Sequence, residues 1–389
     1  MIAKKNLLAL SKAQKWIWGL MTPTLLVTGL SLTFIWVFLY RLGREDLFLQ
    51  VVTFKDLFSP LAFFSMASIA FYMLVFFIQS IVSVLILRRE ISSFSDYSLI
   101  KNRYLHAFVA CSFFSSIILL MISFYFPKYT DTFWVVPAEF MLTAMLDVLI
   151  SFFLNRTIIN TKTLFMEGWE KRLFKLKFLV MYPFLLGVAS WCFVFPFGLL
   201  IKYIDFSPDT SKIFGFFSLV GFTGFIILLS LLPGLTFLSL PNSMRVSKQL
   251  FAVTFMTIVA ISLSSVVASV IPVQIINLSM KLSGVTKYEI YYYSVSRDVY
   301  PPEMFSSENW HLKESKNNKQ YLFKGFPLFS FGTVSLICPE DVADAITKSM
   351  KFILLNTSYD NKLRKELSMS TRTCNVIARG EFKSWKAID

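Results

Sequence analysis

Charged residues are scarce in this chain. Asp, Glu, Lys and Arg make up 16% of its 389 residues, whereas 55% are hydrophobic and Phe alone supplies 43 positions. A soluble globular protein carries about 25% charged residues. The composition therefore excludes an ordinary soluble enzyme and indicates an integral membrane protein.

Histidine and the familiar catalytic motifs are also lacking. The two histidines, His106 at the end of an apolar segment and His311 in a polar loop, cannot form a His-based metal cluster. HExxH, GxxxxGK[ST], GxSxG and CxxC do not occur. We therefore predict no enzyme activity, no metal and no cofactor. No internal repeat is visible, which argues against an inverted-repeat transporter.

The charges that are present divide the chain into two parts. Residues 1–277 hold 22 Lys/Arg and 12 Asp/Glu, mostly in short gaps between apolar runs, and residues 278–389 hold 16 and 12. The second part is a quarter charged, like a soluble domain. We predict a polytopic α-helical membrane protein with about seven transmembrane helices (1–277), followed by a small α+β extracytoplasmic domain (278–389). The net charge of +14 lies mostly beside the apolar runs, so it does not indicate nucleic-acid binding.

Seven apolar segments are long enough to cross a bilayer, which requires about 20 helical residues. The predicted spans are 16–40, 61–87, 105–126, 132–154, 178–201, 213–240 and 250–276. Pro183, Pro196, Pro233 and Pro272 fall inside the later spans and predict kinks.

The connections between these spans differ in positive charge. Alternate connections, beginning with the N-terminal segment, carry 16 Lys/Arg, and those on the other side carry 6. The positive-inside rule then predicts a cytoplasmic N-terminus and, with seven spans, an external C-terminal domain. In a bacterium these positions correspond to the inner membrane and the periplasm.

The C-terminal domain contains a tyrosine-rich strand signal. Tyr288, Tyr291, Tyr292 and Tyr293 lie in a segment that is either an edge for binding a partner strand or a core strand. Two further strands, Gln320–Phe323 and Leu328–Ile337, are predicted with a turn at Gly325 and Pro327, and a helix is predicted to begin at Pro339–Asp341.

Two of the four cysteines, Cys338 and Cys374, lie in this domain. One pair of cysteines in a domain expected outside the cytoplasm predicts a disulfide. The alternative is two buried free thiols.

The fourth predicted span holds the acidic residues that lie deepest in the apolar region. Glu139, Thr143, Asp147 and Ser151 are four residues apart and so share one helix face. This face is either a proton or ion relay or a seam of hydrogen bonds between helices. The candidate hydrogen-bond partners in other spans are Gln79, Ser83 and Gln274.

Two functions from different classes follow. The first is a membrane-embedded binding protein, built like an immunity protein against a membrane-acting toxin. Its extracytoplasmic domain and outer loops would recognise another envelope protein or an incoming protein, with the lipid bilayer as the second partner. The alternative is a proton- or cation-linked transporter or channel that uses the polar face of the fourth span.

Overall fold

The computed structural model describes residues 23–54, 57–91, 97–125, 134–201, 203–206, 211–240, 244–305, 310, 312–314, 319–354 and 356–386. Six helices in this part of the chain are long and apolar enough to cross a membrane, which fits an integral membrane protein. The first predicted span, 16–40, begins outside the described residues, and its described portion belongs to a shorter apolar helix, Val27–Leu42. The structure thus supports a multi-pass membrane protein with a small antiparallel sheet near its C-terminus.

The described elements are numbered here in chain order. The helices are α1 (Pro23–Leu42), α2 (Phe48–Val52), α3 (Phe58–Phe76), α4 (Ile78–Ile91), α5 (Tyr97–Tyr125), α6 (Val135–Lys162), α7 (Gly168–Leu176), α8 (Tyr182–Trp191), α9 (Val194–Ile201), α10 (Lys212–Ser239), α11 (Val246–Val267), α12 (Val270–Leu282), α13 (Asp341–Ser349) and α14 (Thr357–Ser370). The strands are β1 (Tyr291–Ser296), β2 (Lys313–Glu314), β3 (Gln320–Phe331), β4 (Val334–Cys338), β5 (Asn375–Ala378) and β6 (Phe382–Lys386).

The segment predicted as the seventh span, 250–276, consists of two helices. The first, α11, ends before Ala268, whose backbone angles (φ −123°, ψ 83°) are not helical, and α12 begins at Val270. Pro272 lies four residues after Ala268, and a proline both lacks an N–H and clashes with the carbonyl four residues earlier. The proline therefore explains why the helix stops where it does.

The fifth predicted span is interrupted for the same reason at two places. A π-helical turn, Lys177–Met181, includes the residue four positions before Pro183. The gap between α8 and α9 includes Cys192, four residues before Pro196. Pro233 lies inside α10, which continues through it.

The described chain forms two compact units. The first combines residues from 1–71 with residues from 270–389, and the second is formed by residues 72–269. The sequence predicts a domain boundary between residues 277 and 278, and the division into compact units does not test that prediction. The compact units have different bounds: α1, α2, α12 and residues 58–71 of α3 belong to the unit that contains the sheet.

The sheet of the first unit is antiparallel, with the strand order β5-β4-β3-β1-β6 and with β2 paired to β3. The first half of β3 pairs with β1, and its second half pairs with β4. The turn predicted at Gly325 and Pro327 is wrong, because both residues lie inside β3, where the register shifts between Pro327 and Phe329. The chain turns instead after Phe331, at Gly332, whose φ of +63° suits glycine.

Both faces of this sheet are covered by apolar side chains, and all five residues of β4 are buried. On one face Phe329 and Leu336 belong to a core that also contains Ile35 and Leu39 of α1. On the other face a second, largely aromatic core contains Trp310, Tyr293 and Phe323, among others. The helix predicted to begin at Pro339–Asp341 is confirmed as α13.

The second unit is a helical bundle. Its core contains Tyr104 and Phe108 of α5, Ile159 of α6, Leu186 of α8 and Ile227 of α10. These helices bring polar as well as apolar side chains into the interior of the bundle.

Candidate functional site

One face of α6 carries a row of buried polar side chains. Glu139, Thr143, Asp147 and Ser151 are each at most 3% exposed, and Asn155, four residues further on, is fully buried. We call these five residues the polar row. A spacing of four residues keeps side chains along one helix face, so the row runs through the interior of the helical unit.

Side chains of α5 and α6 supply hydrogen bonds to the row. Ser115 Oγ donates to Glu139 Oε1 at 3.3 Å and lies 2.7 Å from Thr143 Oγ1. Ser151 Oγ donates to Asp147 Oδ1 at 3.3 Å. The Cys111 thiol, a weak donor, lies beside the same carboxyl group. These contacts link α5 to α6 by polar groups as well as by packing.

Several atoms of the row have no hydrogen-bond partner within the described residues. They are Glu139 Oε2, Asp147 Oδ2 and both polar atoms of the Asn155 amide. An unpaired buried polar group costs about 1–3 kcal/mol, so such groups are rare in folded proteins. These atoms are therefore the positions in the row where a further hydrogen-bond partner, such as water, would be accommodated.

Two of the predicted partners, Gln79 and Ser83, belong to a second polar cluster. Gln79 Nε2 donates to the Ser190 carbonyl at 2.7 Å, and Gln79 Oε1 accepts from Ser230 Oγ at 3.0 Å. Ser83 Oγ donates to the Ser80 carbonyl at 2.9 Å. These bonds connect α4 to α8 and α10 and do not involve the acids of α6.

The third predicted partner, Gln274, lies in α12 of the first unit and is 6% exposed.

The sequence analysis did not include Asn155, although it continues the four-residue spacing of the row. It also did not include Ser115, because no spacing within α6 could identify a hydrogen-bond donor on α5. Among the described residues, no three His, Cys, Asp or Glu side chains come together as metal ligands would.

In the first unit, the tyrosine segment forms an interior strand of the sheet. Strand β1 pairs with β3 on one side and with β6 on the other. Tyr293 is 2% exposed and belongs to the aromatic core, whereas Tyr288 precedes β1 and is 37% exposed. Of the two predicted alternatives, β1 is therefore an interior strand and not a binding edge. The strand at this edge of the sheet is β6.

An exposed aromatic pair joins strand β6 to β1. Trp385 lies opposite Tyr292 in the register, and the two rings stack with centroids 6.1 Å apart. They are 46% and 39% exposed. Within the described residues, β6 pairs with β1 alone, so its other edge presents backbone groups without strand partners. We call Trp385 and Tyr292 the aromatic edge pair.

A polar contact fixes the end of β6 against the start of β1. Lys386 Nζ lies 3.1 Å from Glu289 Oε2, and Tyr291 Oη donates to the same oxygen at 3.2 Å. The hydrogen bond from Lys386 is the main cause that lowers the pKa of the Glu289 carboxyl. The strand is thus held in register at its exposed end.

The predicted disulfide pair has the expected geometry. The sulfur atoms of Cys338 and Cys374 lie 2.03 Å apart, which joins the end of β4 to the residue before β5. Cys111 and Cys192 are free thiols in the helical unit.

Comparison with models of known protein families, with curated proteins and with solved structures finds no match to this chain. The polar row and the aromatic edge pair are therefore characterised by their geometry alone.

Proposed function

We propose that this protein is a membrane-embedded binding protein that recognises a partner protein through strand β6. The observation that carries the proposal is the aromatic edge pair, Trp385 and Tyr292, at the open edge of the sheet. Exposed strand edges bind extended segments through backbone hydrogen bonds. Tryptophan and tyrosine are enriched among the residues that dominate binding energy at interfaces. Trp385 lies on the edge strand β6 itself, and Tyr292 stacks on it from the neighbouring strand β1.

The charge around the pair favours an acidic partner segment. Lys383 is exposed and lies two residues from Trp385, so both side chains project from the same face of β6. A partner strand with an apolar residue beside an acidic one would pack on the indole ring and pair with this lysine. Charge complementarity of this kind improves specificity and association rate.

The orientation of the chain is part of the same proposal. The bias of Lys/Arg across the connections favours a cytoplasmic N-terminus and an external sheet, which in a bacterium means the inner membrane and the periplasm. A disulfide between Cys338 and Cys374 fits this placement, because disulfides persist in oxidising compartments. An envelope protein or an incoming protein could then reach β6 from outside.

We expect Trp385→Ala to reduce partner recovery at least about tenfold, because central aromatic residues often contribute 2 kcal/mol or more to binding. The measurement is photo-cross-linking from position 385 of the full-length protein in its native host, followed by quantitative mass spectrometry of the cross-linked protein. The same partner is then quantified after purification with the wild-type chain and with the variant.

The matched control is Met369→Ala, which removes a half-exposed apolar side chain from α14 of the same unit. It should leave partner recovery unchanged. Equal recovery with both variants, or equal cross-linking from positions 369 and 385, would contradict binding at β6.

The second candidate function is proton or cation passage along α6. The specific observation in its favour is the pair of buried carboxyl oxygens, Glu139 Oε2 and Asp147 Oδ2, without hydrogen-bond partners in the described chain. Acidic residues inside membrane helices are costly and commonly mark ion or proton pathways. The competing explanation is that the row acts as a polar seam that holds helices together.

We expect Asp147→Asn to be mild. Asparagine still donates and accepts hydrogen bonds, and polar contacts between membrane helices contribute on average about 0.6 kcal/mol. The free energy of unfolding should change by no more than about 1 kcal/mol, and partner recovery should persist. The measurements are unfolding in detergent and proton or cation flux into proteoliposomes. A flux in the wild type that disappears in Asp147→Asn, while Ser151→Ala retains it, would favour the transport candidate.

A further inference from the structure

The sheet of the first unit encloses a pocket on the side opposite the aromatic edge pair. Its volume is about 270 Å³, and its wall includes Tyr291 and Tyr293 of β1 and Phe382 and Ser384 of β6. These side chains alternate with Tyr292 and Trp385 along their strands, so they project from the other face. We call this cavity the sheet pocket.

The sheet pocket is positively charged. Lys287 and Arg379 both line it, and the described residues that line it include no acid. Neither cation forms a salt bridge with a described residue. The carboxyl group of Glu289 is bound by Lys386 and also interacts electrostatically with Lys287. Lys287 and Arg379 are both exposed, so a ligand in the pocket can reach them.

Hydroxyl groups complete the polar part of the wall. Ser330 and Ser335 face each other across β3 and β4, with their Oγ atoms 3.0 Å apart, and Ser384 adds a third hydroxyl. A serine hydroxyl can rotate to donate to an anion. Two cations and three hydroxyls supply more donors than a carboxylate requires and match the several oxygens of a phosphate group.

The size and position of the pocket narrow the class of ligand. A volume of 270 Å³ is below the range of about 300–1,000 Å³ that is typical for drug-sized ligands. Helix α12 is apolar and ends at Leu282, five residues before Lys287. The pocket is therefore close in the sequence to a helix that could contact lipid. A ligand no larger than a phosphorylated headgroup fits both observations.

We propose that the sheet pocket binds the phosphate group of a small phosphate ester, with Lys287 and Arg379 as the paired cations and Ser330, Ser335 and Ser384 as hydroxyl donors. The ester is either a phospholipid headgroup or a soluble phosphate ester, since both present the same chemistry. The pocket lies on the opposite face of the sheet from Trp385, although Phe382 and Ser384 of β6 are part of its wall.

The test uses the full-length protein in an uncharged detergent and has two arms. In the lipid arm, native mass spectrometry compares retention of phosphatidic acid with retention of diacylglycerol, which has the same tails and no phosphate. In the soluble arm, calorimetry compares glycerol 3-phosphate with glycerol. We expect the phosphate compound to bind in at least one arm, and the arm that responds identifies the source.

The double variant Lys287→Gln/Arg379→Gln should weaken this binding at least about tenfold, because hydrogen bonds to charged groups are the strongest that the pocket wall offers. The control, Lys313→Gln/Lys383→Gln, removes the same charge from exposed residues outside the pocket wall. It should change affinity by less than about twofold, since exposed charges at a distance are screened by salt. A thermal unfolding transition in the same detergent with an unchanged midpoint shows that each variant is folded.

Three results would overturn the proposal. They are the absence of phosphate-dependent binding in both arms, unchanged binding in the pocket variant, and an equal loss of binding in the control. Trp385→Ala should leave phosphate binding intact, so failure at β6 and failure at the pocket are distinguishable.

Discussion

Replacing Cys338 and Cys374 by alanine is expected to lower the free energy of unfolding of the sheet-containing unit by about 3–4 kcal/mol, the stabilisation that the loop-entropy model assigns to a loop of this length. The two residues are 36 positions apart, so the bond removes much freedom from the unfolded chain. Both cysteines also belong to the core that contains Leu42 of α1 and Leu336 of β4. The measurement is thermal and denaturant unfolding of the full-length protein in detergent, with and without reductant.

The control replaces Cys111 and Cys192, the two free thiols of the helical unit, by alanine. It should leave the unfolding of the sheet-containing unit unchanged, and reductant should lower its stability as much as it lowers that of the wild type, because the bond between Cys338 and Cys374 is retained. In intact cells, a thiol gel shift should find Cys338 and Cys374 blocked until reductant is added. Labelling of both residues without reductant, or wild-type stability in the double alanine variant, would be evidence against the bond.

The polar row could be found from the sequence because it depends on helix periodicity alone. A spacing of four residues places Glu139 and Asp147 on one face wherever the helix packs. The partners of these acids could not be found in this way. Ser115 is on α5 and meets Glu139 only because two helices pack side by side. Gln79, a sensible candidate by composition, bonds instead to the backbone of Ser190.

The sheet shows why glycine and proline are ambiguous signals. Gly325 and Pro327 suggested a turn, but both lie inside β3. A Cβ atom at Gly325 would lie 2.7 Å from the carbonyl oxygen of Cys338, so the glycine permits close approach of the neighbouring strand and not a reversal of the chain. Within a strand, glycine often marks this kind of approach or a bulge.

Helix α1 illustrates a limit of hydropathy. Its apolar side chains predict part of the span 16–40, which stays a prediction, and Ile35 and Leu39 are fully buried in a core shared with β3 and β4. Lipid tails and a protein core are similarly apolar, so composition alone cannot distinguish them. The contact joins residues almost 300 positions apart and has no local signature in the sequence.

Helix α8 packs so closely on α6 that a side chain added at Gly187 should destabilise the helical unit. Alanine normally stabilises a helix interior by roughly 0.5–1 kcal/mol relative to glycine. At Gly187 of α8, however, an added Cβ would lie 2.6 Å from Ala144 Cα, 3.1 Å from the Ala144 carbonyl oxygen and 3.2 Å from Asp147 Cβ. Backbone atoms cannot move aside as a flexible side chain can, so the two helices would have to separate beside the polar row.

We therefore expect Gly187→Ala to destabilise the helical unit by about 1–3 kcal/mol, the usual cost of overpacking an interior. The matched control is Gly221→Ala in α10, where an added Cβ meets no atom within 4 Å and helix propensity should make the change neutral or stabilising. Denaturant titration of the full-length variants in detergent should shift the unfolding midpoint down for Gly187→Ala and leave it level or raised for Gly221→Ala. Shifts of the same sign and size would show that α6 and α8 do not depend on this contact, and the burial of Asp147 would then need another cause.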